Sequence, residues 1–121
     1  MKVIKEQDII DSIADACQYI SYFHPEDFVK GMVEAYEVEK SEAAKNAIGQ
    51  ILINSKMCAM GHRPLCQDTG SVNIFIKVGL NAKLELTREL VDVLNAGVAK
   101  GYTNPDNTLR YSVVSDPAGK R

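Results

Sequence analysis

One short stretch of this sequence carries more chemistry than packing requires. Cys66, Gln67, Asp68 and Thr69 stand in a row before Gly70, so a thiolate, an amide, a carboxylate and a hydroxyl share one turn of backbone. Pro64 fixes a dihedral ahead of the cysteine and Gly70 admits a positive φ behind it, which together can hold the loop in one conformation, as a metal ligand needs. A thiolate here is a soft donor suited to an iron-sulfur cluster or zinc, and Arg63 nearby favours the deprotonated form. A nucleophilic thiol is equally open on this chemistry; it would need a histidine base, and His62 is four residues away. Asp68 can move a proton if burial or a neighbouring charge tunes it. The plain alternative for Asp68 and Thr69 is a turn in which either side chain bonds its own backbone before Gly70.

The remaining reactive side chains read as structural. Cys17 and Cys58 complete an odd set of three cysteines, their spacings suit neither a C-x-x-C pair nor a zinc site, and both are expected to be ordinary buried thiols. His24, before Pro25, is expected to cap or decorate a helix start, and His62 to serve as a loop hydrogen-bonder. Met57 and Met60 read as gap-fillers at a helix end. Arg88, Glu89 and Lys100 read as a solvated helix face worth little to stability.

Arg63-Pro64-Leu65-Cys66-Gln67-Asp68-Thr69-Gly70 resembles the R-P-x-C-Q-D-T-G signature of iron-sulfur fumarate hydratases, which is shared with the L-tartrate dehydratase α subunits. The resemblance continues through Arg88-Glu89-Leu90 to Gly97, then Gly101-Tyr102, Leu109-Arg110, Ser112-Val113-Val114 and Pro117. It implies that Cys66 binds one iron of a 4Fe-4S cluster held by three cysteines, whose open iron acts as a Lewis acid on water or hydroxyl. It also implies that Gln67 and Asp68 lie beside a small dicarboxylate, with Asp68 in proton transfer, and that Arg110 clamps a substrate carboxylate through paired guanidinium donors. Spacing alone would leave Arg110 a surface residue at a strand end.

The reaction so implied is the reversible hydration of fumarate to (S)-malate, a citric acid cycle step, with L-tartrate dehydration as the alternative because the loop is common to both. The other two cluster cysteines of the family fall beyond this chain. The expectation is therefore an N-terminal fragment of the catalytic α region, inactive alone and not holding the cluster alone. Dimeric family enzymes and the apolar surface expected of such a piece point to a homo-oligomer, a homodimer in the parent enzyme.

Composition sets the outer bounds. At 121 residues and 45% hydrophobic content the chain has the bulk of one domain, 1–121. A formal net charge of -2 leaves no basic surplus for a phosphate backbone, so nucleic acid is excluded as a partner. Glu6 and Asp8 interrupt the start before any signal-peptide core forms, and no apolar run approaches the roughly 20 residues of a membrane span. The expectation is a soluble, cytoplasmic protein without membrane contact. In a different class stands a non-enzymatic helical interaction module, which predicts a self-sufficient monomer with little exposed apolar surface.

The elements that must position the loop follow from periodicity. Ile10, Ile13, Cys17 and Ile20 predict an amphipathic helix that stops near His24-Pro25. Pro25 opens a second, with Phe28, Val29, Met32, Val33 and Tyr36 on its face. Ser41 caps a third, with Glu42 in its first turn and a stripe from Ala44 through Ile48 and Leu52 to Ser55, ended by Gly61. Val72, Ile74, Ile76 and Val78 alternate with polar neighbours and predict a strand. Leu86 to Val98 predicts a fourth helix, with Thr87 as cap and Gly101 ending it in a left-handed turn, and residues 109–114 a second strand. The class is α+β, with N-terminal helices followed by a small mixed α/β portion of a larger catalytic domain.

Overall fold

The computed structural model describes residues 1–66 and 71–109. In chain order these form β1 (Lys2–Lys5), α1 (Glu6–Tyr22), α2 (Glu26–Val38), α3 (Glu42–Gly61), β2 (Ala82–Glu85) and α4 (Leu90–Tyr102), an α+β arrangement. The chain divides into two compact units, one of Met1–Tyr19 with Cys66–Arg121 and one of Ile20–Leu65.

In the first unit β1 and β2 run parallel, with Lys2 opposite Ala82 and Ile4 opposite Leu84. Parallel strands cannot be closed by a tight turn, so most of the chain serves as their connection. Ile4 and Leu84 line an apolar groove of about 440 Å³ together with Ile9, Leu90 and Leu94. Glu6, the first residue of α1, fastens the approach to α4: its carboxylate accepts from the Thr87 N–H at 2.7 Å, the Thr87 hydroxyl at 2.8 Å and Arg88 Nε at 2.8 Å. These contacts hold its carboxyl below the usual range, the Thr87 backbone bond contributing most.

α1 and α4 meet at two glycines. A Cβ on Gly97 would stand 2.7 Å from Ile13 Cβ, and one on Gly101 would stand 2.9 Å from both the Ala14 carbonyl oxygen and Cys17 Cβ. Only a residue without a side chain allows the two backbones this close. Around this contact Cys17, Val98, Tyr102 and Leu109 form a buried cluster, with Ile13, Val72 and Ala99 packed against it. Burial raises the Cys17 thiol pKa and keeps it protonated. A second tie, Lys100 Nζ to Asp11 at 2.5 Å, closes the exposed edge and lowers the Asp11 carboxyl.

The second unit contains α2 and α3. Ser41 caps α3 by accepting from the Ala44 N–H, and Lys45 Nζ lies 4.7 Å over the Tyr36 ring, whose edge abuts Gly49. His24 Nδ1 hydrogen-bonds Ser55 Oγ at 2.9 Å and its ring lies against Phe28, so it joins a helix start to α3. Ile48 and Leu52 are half-buried and Cys58 is buried, while Ile53, Met57 and Met60 follow an exposed stripe turned away from them. α3 is thus apolar on two faces, a pattern found on helices covered from both sides.

Several sequence expectations give way. Residues 71–79 form no strand although their alternation is strong; among the described residues nothing pairs with them, and a strand exists only through a partner. The actual strands, four residues each, are too short and too rich in lysine for periodicity to reveal. The fourth helix begins at Leu90, because Thr87 is drawn to Glu6 instead of capping. Gly101 ends no helix in a left-handed turn: α4 continues to Tyr102, and the glycine serves close approach. Gly61 does end α3, as expected, and the left-handed position that follows falls on His62. Ile20 is exposed, and Ala14 and Gln18 take the buried face of α1 with Ile10 and Cys17. No residue of α2 is buried. Met57 and Met60 fill no gap, being 67% and 76% exposed. Arg88 and Lys100 stay exposed, as expected, and each adds a surface ion pair, with Glu6 and Asp11. Beyond Leu109 the expected second strand lies outside the described residues.

Candidate functional site

The end of α3 builds the approach to Cys66. His62 adopts φ 50 and ψ 54, a left-handed conformation that costs a residue with a Cβ on the order of 1 kcal/mol. Its ring stacks on Tyr22 with centroids 4.5 Å apart and planes 5° from parallel, a contact that helps hold the conformation. The backbone N–H groups of His62 and Arg63 both donate to the Cys58 carbonyl, closing the helix. The Cys58 thiol faces the Pro64 carbonyl at 3.5 Å and Asn54 Oδ1 at 3.6 Å. Asn54 Nδ2 donates to the Leu65 carbonyl at 2.9 Å, and the Leu65 N–H donates to the Ser21 carbonyl at 2.8 Å.

Cys66 follows and is exposed. The other expected site residues, Gln67, Asp68 and Arg110, lie outside the described residues, as do Thr69 and Gly70. Their chain neighbours are described. Val72, two residues after Gly70, packs against the cluster that contains Leu109, the residue immediately before Arg110. Leu109 is 1% exposed, and its N–H donates to the Tyr102 carbonyl at 3.0 Å.

A buried amide network fixes this end of the chain. Gln18 Nε2 donates to the Gly101 carbonyl at 2.7 Å and the Asn107 carbonyl at 2.8 Å, and Asn107 Nδ2 donates back to Gln18 Oε1 at 2.9 Å. The segment leading to Leu109 is thereby tied to α1. Gln18, Asn107 and Asn54 escaped the sequence reading because an amide beside an apolar stripe does not announce its partner.

As a metal donor set the described residues are incomplete. No three His, Cys, Asp or Glu side chains among them gather around one point. Cys17 and Cys58 are buried, whereas Cys66, exposed, fits the part of a single soft donor.

Residues 10–121 match the fumarate hydratase (Fumerase) family, which spans the R-P-L-C-Q-D-T-G loop and the Leu109-Arg110 pair. The chain belongs to the fumarate hydratase (Fumerase) family. Among curated members of this wider hydro-lyase group, a putative L(+)-tartrate dehydratase subunit alpha of Methanocaldococcus jannaschii is 33% identical over 106 residues, covering 88% of this chain and 36% of that protein. The L(+)-tartrate dehydratase subunit alpha of Escherichia coli K12 is 29% identical over 106 residues, covering 88% of this chain and 34% of its own length. This fumarate hydratase family chain thus spans about a third of the length of the curated relatives it matches. No solved structure matches it. No helix among the described residues is long and apolar enough to cross a membrane.

Proposed function

We propose that this chain supplies one part of the active site of an iron-sulfur hydro-lyase that adds water to, or removes it from, a four-carbon dicarboxylate, with fumarate and (S)-malate as the pair. What supports the reading is one observation: the family match covers both the Cys66 loop and Arg110, and the flanks of both, Val72 and Leu109, belong to one hydrophobic assembly.

Cys66 would provide one thiolate to a 4Fe-4S cluster, the remaining donors coming from outside the described residues. The bound cluster would supply Lewis-acid polarisation of the water or hydroxyl. Gln67 would donate its amide to the diacid, and Arg110 would hold one carboxylate through two parallel N–H donors. That clamp matters most as negative charge builds on the carboxylate during loss of the adjacent C–H proton. Asp68 would take part in that proton transfer. Neither diacid is turned over by the 121-residue chain alone under this reading.

A second substrate, L(+)-tartrate, is favoured by the names of the curated relatives, each an α subunit of a tartrate dehydratase. Association with further subunits or copies belongs to the same proposal, since Phe75 and Leu80 stand 96% and 104% exposed. The assembled enzyme, assayed anaerobically on fumarate, (S)-malate and L(+)-tartrate, separates the two substrates. Cys66→Ala is expected to lose iron and turnover together; full iron content in that variant would refute the cluster assignment.

A further inference from the structure

We infer that Asn54, with Cys58, is a positioning residue for the Cys66 ligand, an inference that rests on the assignment of Cys66 proposed above. A carbonyl and the N–H that follows it lie in one rigid peptide plane. The Leu65 carbonyl that accepts from Asn54 Nδ2 at 2.9 Å is therefore in the same plane as the Cys66 nitrogen. On its other side, the Leu65 N–H is held by the Ser21 carbonyl at 2.8 Å. With both flanking planes restrained, the dihedrals of Leu65 are set, and the direction in which the chain enters Cys66 is set with them.

Cys58 acts one residue earlier. Its thiol faces the Pro64 carbonyl at 3.5 Å and Asn54 Oδ1 at 3.6 Å, so one proton serves the loop and the orienting amide. Asn54 Oδ1 facing the thiol turns Nδ2 toward Leu65, which fixes the amide in the orientation that donates. Asn54 is an exposed residue of α3, so its orientation is set by these hydrogen bonds and not by burial. A cluster ligand placed loosely by its backbone exchanges faster, because each dissociation is followed by a search over more conformations.

The test uses the assembled enzyme with Asn54→Ala, Asn54→Asp and, as control, Asn46→Ala on the same helix. Asn54→Asp keeps the shape and the acceptor but cannot donate to Leu65, so it reports the donor even where the alanine variant fails to fold. Two quantities are read: amide hydrogen exchange of the peptide holding Leu65 and Cys66, measured without cluster, and the rate of iron loss to a chelator, followed by visible absorbance. Both Asn54 variants are expected to speed exchange there about tenfold, the factor carried by one hydrogen bond of ordinary worth. Iron loss is expected to quicken several-fold, while Asn46→Ala changes neither. Exchange that stays at the wild-type rate in Asn54→Asp overturns this inference alone. Acceleration spread evenly over the whole of α3 also overturns it, since that marks a general fold residue. Full iron retention by Cys66→Ala overturns the ligand assignment, and the positioning role with it.

Discussion

Gln18 and Asn107 exchange hydrogen bonds in both directions: Gln18 Nε2 donates to the Asn107 carbonyl at 2.8 Å and Asn107 Nδ2 donates to Gln18 Oε1 at 2.9 Å. Both residues are buried, so neither can turn to water when its partner is lost. Replacing Gln18 with leucine strands the Gly101 and Asn107 carbonyls and the Asn107 amide. Chemical denaturation should show a loss of about 1–3 kcal/mol, the usual penalty for a buried polar group left unmade. Under the clamp role proposed for Arg110, the same change in the assembled enzyme should lower kcat more than it raises KM, because it frees the segment that leads into a residue whose contact counts most as charge builds.

Gly101→Ala should destabilise the chain by about 1–3 kcal/mol, the range for forcing atoms into a filled core. The new methyl group would meet the Ala14 carbonyl oxygen and Cα as well as Cys17 Cβ, and backbone cannot swing aside as a side chain can. Gly31→Ala, with open space around it, should be neutral or mildly stabilising through the helical propensity of alanine. The two melting temperatures, measured side by side, check both statements.

Glu6 makes stability depend on acidity in a defined direction. Its folded-state pKa is depressed, first by the Thr87 backbone hydrogen bond, so the stabilisation is fully present above the ordinary glutamate range and is lost as pH falls through the lower folded value. Glu6→Gln removes the charge that Arg88 pairs with and should lower the melting temperature at neutral pH. The gap between variant and wild type should narrow on acidification below the glutamate range. A gap constant with pH would show that the carboxylate charge contributes nothing at this position.

The three cysteines should separate by reactivity. Cys17 and Cys58 are buried, and burial raises the Cys17 pKa further, whereas Cys66 is exposed. In the absence of cluster, a polar alkylating reagent followed by peptide mass spectrometry should label Cys66 first, with Cys17 labelled only on the timescale of unfolding. Labelling of Cys17 as fast as Cys66 would contradict the packing around α4.

The helical part of this fold was legible because its signals are local. Pro25 and Ser41 mark the starts of α2 and α3 by the dihedral one fixes and the hydrogen bond the other offers, and both stand where the sequence placed them. The candidate loop was legible for the same reason: its cysteine, amide, carboxylate and hydroxyl are consecutive. The supporting residues were not, because Asn54 meets Leu65 only after the chain has reversed at His62.

The amino-acid sequence alone determined the order of helices, the chemical inventory of residues 63–70 and, through that inventory, the family. Tertiary structure alone decided that Lys2–Lys5 pairs with Ala82–Glu85 while the more strongly alternating 72–78 does not. It also decided that Gly101 is a point of contact with α1, and that Val72 and Leu109 share one assembly. The physical reason is the range of the interactions. A cap or a helical stripe is written within a few residues, but Gln18 finds its acceptors 83 and 89 positions away, and no period in the chain encodes so distant a partner.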